Sequence, residues 1–153
     1  SKVEQRLQEI GVSIPDAPTP AANYLPFTRT GNLVFVSGQV PFVDGKLTVT
    51  GTVGKDASIE DAQSQAKVCA INLLAQLKVA CDGDLDRVVQ VVKLGAFVAS
   101  ADDFYSQPVV VNAASDLMVA AFGDAGRHAR FAVGSNALPL NCLVEIDGVF
   151  EIA

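Results

Sequence analysis

A chain of 153 residues, 50% of them hydrophobic and with mean hydropathy +0.33, is the size of one domain and can bury a core of its own, so residues 1–153 are expected to form a single unit. Its 11 basic against 17 acidic residues leave a net charge of −6, which opposes broad attraction to nucleic acid or to an anionic membrane, so any anion site has to be local. Three widely spaced cysteines, Cys69, Cys81 and Cys142, include no C-x-x-C pair, which argues against a disulfide framework or zinc site and favours a reducing, cytoplasmic setting. Charged residues break the opening segment, and no uncharged apolar run of about 18 residues occurs, so a soluble protein without a membrane partner is expected.

Lys2 to Ile10 sets Val3, Leu7 and Ile10 at helical spacing, which predicts a short amphipathic helix packed on the main body and ended by Gly11. Pro15, Pro18 and Pro20 then make an extended connector, so residues 1–20 are a helix plus a Pro-rich link. Tyr24 to Arg29 and Leu33 to Val36 flank Gly31-Asn32, a hairpin signal. Phe42 to Gly54 carries Asp44-Gly45 and reads as a surface excursion.

Ser58-Ile59-Glu60-Asp61 is a helix start, with serine able to cap exposed amides and acids favoured by the dipole in the first turn. Ile59, Ala62, Ala66, Ala70, Leu73, Leu74 and Leu77 form the apolar stripe of the long helix that follows, and Asp82-Gly83 stops it. Asp86 to Ala99 reads as a strand whose two faces, Val88, Val92, Leu94, Ala96 and Val98 against Val89, Val91 and Phe97, are both apolar and both need cover. Pro108 to Phe122 forms the second helix, with Val111, Ala114, Leu117, Met118 and Ala121 inward and Gly123 at its end.

Two more strands close the chain. His128 to Val133 has no helical period, and Leu143 to Ile152 alternates, with Val144, Ile146, Phe150 and Ile152 on one face and Glu145, Asp147 and Glu151 on the other. Asn136 to Asn141, holding Pro139, supplies the break between them. These runs are expected to be neighbouring strands, which would bring the guanidinium of Arg130 near a carboxylate on the next strand. The order β-β-α-β-α-β-β is α+β. Two helices cannot cover both faces of its sheet, so a homo-oligomer is expected.

Among groups that carry chemistry, Arg130 stands first, because a guanidinium grips a carboxylate through two parallel hydrogen bonds. The plain alternative is an arginine paired to an acid at a sheet edge. Glu145 is an acid on the polar face of a terminal strand, as Asp147 and Glu151 are. Tyr24 has an ordinary reading as a half-buried strand aromatic. His128, the only histidine, lies between Arg127 and Arg130; with no second histidine and no cysteine cluster it is a poor metal ligand, and a surface role is expected. No G-x-S-x-G, phosphate loop or dinucleotide fingerprint is present, so no metal and no cofactor is expected.

The run Asn32 to Pro41, a strand followed by Ser37-Gly38-Gln39-Val40-Pro41, together with Ala129-Arg130, Leu138-Pro139 and Val144-Glu145-Ile146, resembles the signatures of the Rid family, also called the YjgF family. The resemblance spans about residues 17 to 153. Val111 to Leu117 and Gly126 to Arg130 are similar to a divergent branch with a longer N-terminus. Membership implies a chorismate mutase-like fold, a mixed β-sheet with two long helices packed on one face, and a homotrimer with clefts at the subunit boundaries. It implies cofactor-free hydrolysis of 2-imino and enamine acids to 2-keto acids and ammonia.

By position in that pattern, Arg130 matches the arginine that binds the substrate carboxylate and Glu145 the glutamate that helps hold the attacking water. Tyr24 matches a tyrosine that closes the cleft, Ser37 and Gly38 match its floor, and Asn112 matches an asparagine beside it, with four extra residues nearby at about Gln107 to Val110. Phe131 stands where archetypes carry a small hydroxyl residue and Ala132 where many have cysteine, which implies a bulkier, less polar cleft with the backbone carbonyl left to hold water. The expected ligand is a small carboxylate, a 2-imino or 2-keto acid. One alternative is a trimeric module that binds small carboxylates without turnover, which Phe131 favours. The other is a ribonuclease, against which the negative charge and the lack of a basic, aromatic stripe both argue.

Overall fold

Val34, Val36, Leu94, Ala96, Val98, Val144, Ile146, Phe150 and Ile152 are all buried, and together they form the inner face of one β-sheet. In the computed structural model, which describes residues 1–19 and 22–153, the sheet has five strands in the order β1-β2-β5-β3-β4. They are β1 (Phe27–Thr30), β2 (Leu33–Gln39), β3 (Val88–Ala99), β4 (Ala129–Ser135) and β5 (Val144–Ile152). β3 and β4 run parallel, and the other neighbours are antiparallel. The helices α2 (Ile59–Ala80) and α3 (Gln107–Phe122) lie together on the inner face, giving the expected α+β architecture of a mixed sheet with two long helices.

Local chemistry sets the element ends. Ser58 and Asp61 exchange the two hydrogen bonds of a capping box at the start of α2. Past its end, Asp82 and Gly83 take φ of 54° and 92°, a left-handed exit that glycine makes cheap. Gly31, with φ 57°, begins the two-residue β1–β2 turn at the position a type II′ hairpin reserves for glycine. Asp44 and Gly45, with φ 51° and 76°, close a second tight turn between Val43 and Lys46.

The N-terminal helix α1 (Lys2–Glu9) buries Val3 and Leu7. Both carboxylate oxygens of Asp86 accept bonds from its first amides, Lys2 N and Val3 N, at 3.0 Å each, and these bonds hold the Asp86 carboxyl below its ordinary range. Arg6 caps the carbonyl of Ala121 at the end of α3. Ile10, expected inward, is 52% exposed, because the helix stops at Glu9 and the chain leaves the stripe there. Pro20 of the connector lies outside the described residues.

Two expectations about the strands are corrected. Register shifts at Val88/Gln90 and Val91/Lys93 insert bulges in β3, so its alternation changes phase: Val91 joins Leu94, Ala96 and Val98 in the core, while Val92 leaves them. In addition, β4 and β5 are not neighbours, because β3 lies between them. Burial explains the order. β5 places Val144, Ile146, Phe150 and Ile152 at full burial and belongs in the middle of the sheet, whereas no residue of β4 is fully buried, as suits an edge.

Among the described residues no helix covers the outer face of the sheet. Phe35, Val89, Phe97, Phe131 and Val133 project from it, each 36–47% exposed, and Phe97 meets Phe131 edge to face at 5.4 Å.

Candidate functional site

Arg130 is the second residue of β4, at the sheet edge, and alternation turns it toward α3. Its Nη1 donates to Ser115 Oγ at 3.1 Å; its Nη2 donates to Asn112 Oδ1 at 2.9 Å and, more weakly, to the Pro108 carbonyl at 3.4 Å. Asn112 and Ser115 are three residues apart on α3 and so share one side of the helix. The ion pairs among the described residues join Lys78 to Glu4, Arg87 to Asp82 and Arg127 to Asp124, so Arg130 is held by neutral groups alone. A guanidinium has five N–H donors. Three are engaged, both hydrogens of Nη2 among them, so the two that remain, on Nε and Nη1, share no edge, and a bidentate carboxylate has to displace the long contact to the Pro108 carbonyl.

The stretch Gln107 to Val110, which the sequence marks as additional, is the first turn of α3 and presents the Pro108 carbonyl to Arg130. Ala132 follows Arg130 on the same side of β4 and packs against the core. Phe131 faces the other way: its ring lies on the outer sheet face against Phe97, with the Lys93 ammonium 5.7 Å from its centre and Gly95 beneath it. Within one chain it therefore does not narrow the space around Arg130.

His128 is no plain surface residue. Its Nε2 lies 2.9 Å from Ser115 Oγ and its Nδ1 2.6 Å from the Gly126 carbonyl. Ser115, Asp116, Val119, Arg127, His128 and Arg130 line an open cleft of about 500 Å³. The sequence carried a usable signal for these two residues: Ser115 stands at helical spacing from Asn112, and His128 has the strand parity of Arg130.

The remaining candidates gather elsewhere. Glu145 is the register partner of Phe97 and so projects on the outer face, away from α3. Gly38 backs onto it so closely that a Cβ there would collide with the Glu145 carboxylate. Ser37 bonds the Leu25 carbonyl at 2.7 Å through its hydroxyl, and its amide bonds the Pro26 carbonyl at 2.9 Å, which ties the segment after Tyr24 to β2. Tyr24 itself is 58% exposed.

Burial, and then the charge of Asp147, raise the Glu145 carboxyl above its ordinary value, so it holds a proton more readily than a free glutamate. Beneath it, Cys142 is pushed up to about 11 by burial and by Glu145, and Cys69 is raised by burial, Cys142 and Glu145. Both thiols donate to the Val144 carbonyl and stay protonated near neutrality, which leaves no thiolate nucleophile beside Glu145.

Residues 4–151 match the family model described as "YjgF/chorismate mutase-like, putative endoribonuclease". Protein TCP17 of Trypanosoma cruzi is 41% identical over 152 residues, covering 99% of this chain and 94% of that protein. A 2-iminobutanoate/2-iminopropanoate deaminase of Salmonella typhimurium is 33% identical over 138 residues, 90% of this chain and 94% of the enzyme. A crystal structure from Agrobacterium tumefaciens, of a protein with unknown function, superposes with TM-score 0.93 at 50% identity, covering 99% of this chain and 92% of that one.

Proposed function

The chain belongs to the YjgF/chorismate mutase-like family, the Rid family that its motifs resemble, and on that premise we propose that it hydrolyses reactive 2-imino and enamine acids to 2-keto acids and ammonia. The observation that carries this reading is Arg130, held by neutral partners alone, with no carboxylate of its own chain on it and an open cleft in front of it. The deaminase at 33% identity supports the same chemistry.

In this proposal the carboxylate of the substrate binds the fork of Arg130 and displaces its long, weak contact to the Pro108 carbonyl. Glu145 and the backbone at Gly38 hold a water against the imine carbon. Glu145 takes a proton from that water as its oxygen bonds to carbon, and the proton passes to nitrogen. Collapse of the resulting amino alcohol breaks the C–N bond, releasing ammonia and leaving the keto group. The raised proton affinity of Glu145 suits this transfer.

We further propose that the two halves meet between copies in a homotrimer, Arg130 from one and Glu145 from the next. β3 separates these residues within one chain, and the aromatic outer face is the surface such packing would cover.

The test is ammonia release from freshly generated imines of amino acids with apolar, polar and acidic side chains, alanine and 2-aminobutyrate among them, with purified protein against buffer, in parent and Glu145→Gln. Faster release that depends on Glu145 is expected. A flat response across apolar, polar and acidic side chains would overturn the reading in favour of a module that binds carboxylates without turnover. That second reading draws on one observation: the Arg130, Asn112 and Ser115 clamp is complete within a single chain.

A further inference from the structure

We propose that Ser115 and His128 are positioning residues for Arg130: a directional relay that fixes the plane of its guanidinium for a carboxylate. This rests on the carboxylate-binding reading above.

Direction follows from the partners. A carbonyl oxygen only accepts, so His128 Nδ1, 2.6 Å from the Gly126 carbonyl, must carry the proton. The neutral ring then offers Nε2 as an acceptor, and the group facing it at 2.9 Å, the Ser115 hydroxyl, must donate. With its proton committed to the ring, Ser115 Oγ turns a lone pair to the Nη1–H of Arg130 at 3.1 Å. Each donor in this series meets one acceptor. Gly126 makes the anchor possible, because any side chain there would run into the Met118 carbonyl, so the loop lies flat on α3. Asn112 holds the other corner at Nη2, and two points on one helix fix the guanidinium plane.

The experiment has a ligand-free arm and a binding arm. Nitrogen NMR of the parent should show the Nδ1–H tautomer of His128 and separate Arg130 Nη signals from hindered rotation, which merge in Ser115→Ala and return in Ser115→Thr. Calorimetry with pyruvate should show about tenfold weaker binding in Ser115→Ala, the loss of one hydrogen bond to a charged group, and recovery in Ser115→Thr. His128→Ala, which leaves the Ser115 hydroxyl without its acceptor on the ring, should merge the Arg130 signals as Ser115→Ala does. Arg130 signals already merged in the parent, or still separate in His128→Ala, would overturn the relay. If the parent binds no carboxylate at any pH, the functional reading fails, and the ligand-free spectra still decide the relay.

Discussion

Arg130 and Glu145 stand on opposite sides of β3 and project from opposite faces of the sheet. The register pairs Arg130 with Leu94 and Glu145 with Phe97, so the two are about 10 Å apart across the sheet and about 10 Å along it. No single chain can bring one small molecule to both.

Arg130→Ala should lower affinity for pyruvate and 2-ketobutyrate by about ten- to hundredfold, corresponding to charge-assisted hydrogen bonds of about 1.5–3 kcal/mol. Because its partners are uncharged, no carboxylate is left unpaired and the melting temperature should barely move. Arg130→Lys should recover little, since an ammonium cannot reach Ser115, Asn112 and a bidentate ligand together. Calorimetry beside thermal melts checks this; a destabilised variant that binds normally would show Arg130 to be structural.

Gly38→Ala should separate binding from turnover. Its methyl group has to displace the Glu145 carboxylate, while the Arg130 clamp lies on the other side of the sheet. Ammonia release should fall at least tenfold, with pyruvate affinity within about twofold of the parent. Parallel loss of both would mean that Gly38 supports the fold rather than the water.

Glu145 makes stability depend on pH in a stated direction. Its folded carboxyl is raised above the ordinary 4.5 by burial and then by Asp147, so the folded state binds the proton more tightly than the unfolded chain does. The resulting penalty is absent below pH 4.5, grows as pH rises toward the raised folded value, and persists above it. Glu145→Gln should therefore melt higher than the parent at pH 7 and match it at pH 4. Equal melting at pH 7 would show that the carboxylate is fully solvated.

The outer face should mediate assembly. A trimer is expected by sedimentation at micromolar concentration, and Phe97→Glu should yield folded monomers by placing a charge at the centre of the aromatic patch. Phe131→Ser, which removes the ring packed on Phe97, should weaken the trimer. A parent that sediments as a monomer would end the shared-cleft model.

The sequence by itself determined the elements, because their signals are local. Ser58 and Asp61 marked the start of α2, Gly31 and Asp44-Gly45 made tight turns, the stripe from Ala62 to Leu77 chose the buried side of α2, and alternation in β5 separated Ile146 from Glu145. The motifs around Ser37-Gly38 and Ala129-Arg130 pointed to the family for the same reason, as short runs of fixed spacing. Tertiary structure alone decided strand order and bulges. Whether β4 or β5 sits beside β2 depends on competition for burial between distant segments, and the phase change at Val92 exists only in the pairing of β3 with β5. It also decided what surrounds Arg130: Ser115 and the Pro108 carbonyl come from α3 and His128 from just before β4, two segments that meet only once α3 packs along the edge of β4.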